Sequence, residues 1–98
     1  MLKKETVKES NQVKLTFVLP FDSARPRVAV VGDFNQWEPN ANPMGKRNNG
    51  TLSASVMLPA GQRVRFRYYT SAGEWFNDEA ADNYEPGEQG ADNCIALI

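Results

Sequence analysis

The chain has 98 residues, enough for one domain and not two. Its single cysteine, Cys94, rules out an internal disulfide, and the lack of any histidine removes the commonest zinc ligand and the commonest general base near neutral pH. Eleven Lys and Arg against twelve Asp and Glu leave a net charge of −1, with no clear unopposed basic patch of the kind nucleic acid requires.

The charge is unevenly spread. Residues 1–73 hold all 11 Lys and Arg and five acids, a net +6, while residues 74–98 hold seven acids and no base, a net −7. An acidic loop lying against a basic strand is the expected outcome. The opening MLKKETVKES has lysines but no apolar run behind them, so it does not read as a secretory signal. No stretch approaches the roughly 20 apolar residues that cross a bilayer. A cytoplasmic protein is expected, without cofactor or metal and without a nucleic-acid or membrane partner.

Residues 1–11 are read as a flexible segment ahead of a single domain over 12–98. QVKLTFVL (Gln12–Leu19) then puts Val13, Leu15, Phe17 and Leu19 on one face, and Pro20 stops it. RVAVVGDF (Arg27–Phe34) is denser in valine, as a central strand covered on one face and partly on the other would be. TLSASVML (Thr51–Leu58) alternates again, and Pro59-Ala60-Gly61 turns the chain. In QRVRFRYYT (Gln62–Thr70), Val64, Phe66 and Tyr68 point one way and Arg65, Arg67 and Tyr69 the other. Ser71-Ala72-Gly73 is a turn, EWFN a short strand, and Cys94–Ile98 a closing strand, with a helical turn open around Glu79–Tyr84. Six or seven short strands in under 100 residues predict an all-β protein, an immunoglobulin-like antiparallel β-sandwich.

Three groups of residues could carry chemistry. Trp37 lies in a polar loop, and Tyr69 and Trp75 flank the 71–73 turn, with Arg67 on the face of Tyr69. Flat rings match the apolar C–H face of a pyranose, and Arg or Asn can read its hydroxyls. The competing reading makes both tryptophans packing residues. Asp22, Asp33, Glu38, Asp78 and Asp82 could supply the carboxylate pair of a glycoside hydrolase, but Asp in turns commonly caps the backbone instead. Arg63, Arg65 and Arg67 form a stripe at strand spacing, to be paired with the acidic segment or, for Arg67, to meet a ligand.

VVGDFNQW, then FRYYTSAGEW, then GADNCIAL together resemble the family-48 carbohydrate-binding module. That family includes the glycogen-binding domain of the AMP-activated protein kinase β subunit and the early-set domains of isoamylases and glycogen branching enzymes. The likeness runs from about Val13 to Ile98 and is greatest, in length and loop pattern, to small stand-alone bacterial early-set proteins. It implies a sandwich of the early-set type that binds α-1,4-linked glucans without catalysis. Trp37 and Trp75 match the two stacking tryptophans, Arg67 falls where the kinase module has a lysine, and Asn93 matches an asparagine that contacts sugar. Tyr69 and Gln89 complete the implied site. Gln89 and Ala91 stand where the kinase module has a bulky apolar residue and a hydroxyl residue, so the implied grip is weaker. The alternative is an interaction or structural module working with a glycogen-metabolising enzyme.

Overall fold

The computed structural model describes residues 1–7, 9–87 and 92–98. Nine strands are found among them: β1 (Leu2–Thr6), β2 (Gln12–Pro20), β3 (Val28–Gly32), β4 (Gly45–Lys46), β5 (Thr51–Pro59), β6 (Arg63–Thr70), β7 (Trp75–Phe76), β8 (Asn83–Pro86) and β9 (Asp92–Leu97). One 3-10 turn, Asp33–Asn35, follows β3. The strands form two antiparallel sheets, one ordered β1-β2-β5-β4 and the other β3-β6-β9-β8, with β7 also paired to β6. The β-sandwich read from the sequence is the fold.

The period-2 alternation explains why the sheets face each other. Leu15 and Phe17 of β2 and Leu52, Ala54 and Leu58 of β5 are buried from one side. Val30 of β3, Val64, Phe66 and Tyr68 of β6, and Cys94 and Ala96 of β9 meet them from the other. Phe17 is the hub: its ring lies 4.9 Å from Phe66, 6.5 Å from Tyr68 and 5.6 Å from Phe34. The first two pairs are edge-to-face and the third is stacked, and such pairs add about 0.5–1.5 kcal/mol each beyond the area they bury.

β3 is buried at all five positions, more fully than the expected cover of one face and part of the other. One flank pairs with β6; the other receives residues 42–44, through Val30 N to Asn42 O and Met44 N to Val28 O. The sheet edge is thereby closed to further pairing.

Two local expectations are corrected. Residues 1–11 are not all outside the sandwich, because Leu2–Thr6 pairs with β2 in the register Leu2↔Phe17 to Thr6↔Val13. Only Leu2 reaches the core, and the ladder carries the rest, which explains why LKKET shows no alternation. Around Glu79–Tyr84 there is no helical turn. Asp78 Oδ1 accepts the amide of Ala80 and closes an Asx turn, and Tyr84 enters β8 opposite Cys94.

Candidate functional site

Opposed residues of an antiparallel pair share a face. The pairs Val31↔Arg67, Ala29↔Tyr69 and Tyr69↔Trp75 therefore place Arg67, Tyr69 and Trp75 on the outer face of the second sheet. Asn93 joins them: it opposes Glu85, and Ile95, two residues along, opposes Arg65. This face is not simply solvated, since Val31 and Ile95 within it are 0% exposed.

The β6–β7 hairpin sets the centre. Thr70 N bonds Glu74 O, Gly73 N bonds Thr70 O, and Gly73 takes a φ of 84° that suits glycine. That turn returns Trp75 against Tyr69, with ring centroids 4.6 Å apart, while Trp75 stays 41% exposed. The Arg67 guanidinium carbon lies 5.5 Å from the Trp75 ring centroid, a cation–π contact. Arg67 Nε donates to Asn77 Oδ1 at 3.0 Å, and Asn77 Nδ2 donates to Asp92 O at 2.8 Å.

Trp37 follows the turn after β3. Gly32 passes so close to β6 that a Cβ there would lie 2.3 Å from Arg65 O. Asn35, buried, ties the loop three ways: its Oδ1 accepts Gly32 N, and its Nδ2 donates to Val30 O and Asn42 Oδ1. Gln36 and Trp37 then sit at φ 53° and 58°, a left-handed conformation uncommon for bulky residues. Each such residue costs about 1–2 kcal/mol and persists only where its surroundings impose it. Trp37 N to Gly32 O holds the backbone, and the indole Nε1 donates to Asp33 Oδ1 at 3.3 Å. The other Asp33 oxygen accepts Arg65 N, fixing the indole to β6.

The structure thus brings Arg67, Tyr69 and Trp75 into contact and sets Asn93 on the same face by register, while Trp37, in the turn after β3, is tied through Asp33 to the backbone of β6 at Arg65. Gln89 and Ala91 lie outside the described residues. Sequence reasoning missed Asn77 and the use made of Asp33. A signal for Asn77 was present: it lies two residues beyond Trp75, so strand parity puts both on one face.

The basic stripe divides as the sequence allows. Arg63 and Arg65 pair with Glu85, and Arg65 also approaches Asp33. Arg67 instead takes Asn77 and Trp75. Elsewhere Arg25 forks onto Glu74 and Lys4 bonds Asp82, so acids of 74–98 answer cations of 1–73.

The carboxylates weighed for catalysis serve the fold. Asp22 accepts Ala24 N, Glu38 accepts Asn40 N, Asp33 holds Trp37 and Arg65, and Asp82 accepts Leu97 N. Asp78 is 3% exposed, accepting the Tyr68 hydroxyl, Ala80 N and the Met1 amine. Burial favours its neutral form, but those donors outweigh burial and hold its carboxyl below the ordinary range. Burial, then the Asp78 contact, push the Tyr68 hydroxyl far up, and burial raises the Cys94 thiol to about 11. Cys94 is accordingly inert at neutral pH.

Residues 7–84 match the family model of carbohydrate-binding module 48, the isoamylase N-terminal domain. The chain belongs to that family. The match takes in Trp37, Arg67, Tyr69, Trp75 and Asn77, and ends before Asn93. The module is similar to a 1,4-alpha-glucan branching enzyme of Xanthomonas campestris pv. campestris (strain 8004), 44% identical over 50 residues, covering 48% of this chain and 7% of that enzyme. It is also similar to an amylopullulanase of Thermoanaerobacter thermohydrosulfuricus, 32% identical over 82 residues, covering 80% of this chain and 5% of that enzyme. The module therefore spans only a small part of the relatives it matches. No helix among the described residues is long and apolar enough to cross a membrane.

Proposed function

We propose that the module is non-catalytic and binds α-1,4-linked glucans on the outer face of its second sheet. Trp75 and Trp37 stack on glucose rings, Arg67 and Asn93 bond to hydroxyls, and Tyr69 backs the Trp75 ring. The observation that carries this reading is the convergence of Arg67, Tyr69 and Trp75 around a tryptophan left 41% exposed. A ring that could have been buried is kept at the surface, beside a donor and against a second ring.

Two features weigh against the competing readings. The carboxylates that a glycosidase would need are engaged in caps and ion pairs. Three acids of the segment that would attract a protein partner, Glu74, Asp82 and Glu85, are paired with the module's own cations.

The site is shallow, so weak binding is expected, with a Kd of about 0.1–1 mM, or ~4–5.5 kcal/mol. Titration with maltoheptaose, followed by tryptophan emission, tests it. Saturable quenching or enhancement is expected in wild type and is expected to vanish in Trp75→Ala. Unchanged emission at millimolar sugar from a folded protein would contradict it.

A further inference from the structure

We infer that Asn77 is a positioning residue, holding Arg67 as a fixed two-pronged donor for a pair of adjacent sugar hydroxyls. This rests on the glucan reading above. An arginine on an outer strand face ordinarily samples many rotamers, and its charge alone would make it a diffuse attractor. Here one edge of the guanidinium is spent: Nε donates to Asn77 Oδ1 at 3.0 Å. The group is planar, so a bond at Nε together with the Trp75 ring beside it sets the plane of the whole fork.

Arg67 differs here from its neighbours on the stripe. Arg63 and Arg65 end on Glu85, while among the described residues Arg67 meets no carboxylate. Among the described residues its two terminal nitrogens have no hydrogen-bond partner. They form a rigid edge of parallel N–H donors, the geometry that suits two neighbouring oxygens. Each internal unit of an α-1,4-linked glucan carries such a pair, the free hydroxyls on C2 and C3. A lysine at this position could offer charge but not a fork.

Asn77 does a second thing with its other end. Nδ2 donates to Asp92 O, the residue before Asn93. The strand start that carries one hydroxyl-reading side chain is thus tied to the side chain that orients the other. Fixing both before sugar arrives lowers the ordering cost of binding.

The test is a double-mutant cycle with maltoheptaose across wild type, Asn77→Ala, Arg67→Ala and the double variant, with the Arg67 Nε–H signal followed by NMR in sugar-free protein. Asn77→Ala is expected to weaken binding by about 5–10-fold and to abolish the ordered, slowly exchanging Nε–H signal. In the Arg67→Ala background the same change is expected to matter by less than about twofold. Asn77→Asp keeps an acceptor for Nε and is expected to keep the signal, and it serves as the folded control if the alanine variant is unstable. Additive losses, wild-type affinity in Asn77→Ala, or an unaltered Nε–H signal would overturn the inference while leaving the glucan reading standing. Absence of binding by wild type would overturn that reading and the fork's task with it, and the sugar-free signal would still report whether Asn77 holds Arg67.

Discussion

Asn35 shows how one buried side chain can decide the shape of a surface loop. Its three hydrogen bonds span the end of β3, the turn and residue 42. They compel Gln36 and Trp37 into left-handed backbone that neither would choose. Asn35→Ala would orphan Val30 O and Gly32 N, and a loss of about 2–3 kcal/mol is expected from urea unfolding, with shifted Trp37 emission in the folded state. Asp78 makes a different argument, about pH. Its folded carboxyl titrates below the ordinary 3.8, so the unfolded chain takes up the proton first as pH falls. The stability it contributes is complete above about pH 5 and drains away below 4 through the folded value. Asp78→Asn is expected to lower stability at pH 7 and to flatten the acid limb of a melting-temperature profile between pH 5 and 3. Asp82, also held low through Lys4 and Leu97 N, would leave part of the slope in place. An acid limb identical to wild type would contradict the assignment.

At the level of elements, the β6–β7 hairpin holds the centre of the proposed site. Gly73 occupies φ 84°, where an alanine costs about 1 kcal/mol, and Gly73→Ala is expected to lower the melting temperature by about 4–8 °C. Because the same turn returns Trp75 to Tyr69, weaker glucan binding should accompany it. The strands differ in how far they could be read beforehand. β2, β5 and β6 alternate because each has one face in the core, and the alternation shows in the sequence. β1, β4 and β8 do not announce themselves. They are short and mostly polar edges whose hydrogen bonds come from another strand, so nothing local marks them. The site divides in the same way. Strand parity places Arg67 beside Tyr69, and the 71–73 turn brings in Trp75. The tie from Arg67 to Asn77, and that from Trp37 through Asp33 to Arg65, depend on side-chain reach across strands. Sequence spacing does not encode that reach.

The whole molecule is a sandwich with two unequal outer faces. The sheet of β1, β2, β4 and β5 turns Lys14, Thr16, Ser55 and Met57 outward, where Thr16 and Ser55 share a hydrogen bond. The sheet of β3, β6, β7, β8 and β9 turns outward two fully buried residues, three arginines, and the Tyr69–Trp75 pair. Between the sheets, at the end formed by Leu19, Val28, Leu52, Phe76 and Asp78, lies a cavity of about 530 Å³ that supplies a second place a small molecule could enter. The two locations are distinguishable in one experiment. Amide and side-chain NMR shifts should be mapped while maltoheptaose is added to wild-type protein. Shifts are expected at both indole Nε1–H groups, at the Arg67 Nε–H and at Asn93, with Leu19, Val28 and Leu52 unmoved. Shifts confined to Leu19, Val28, Leu52 and Phe76, or none at millimolar sugar, would contradict a glucan site on the outer face.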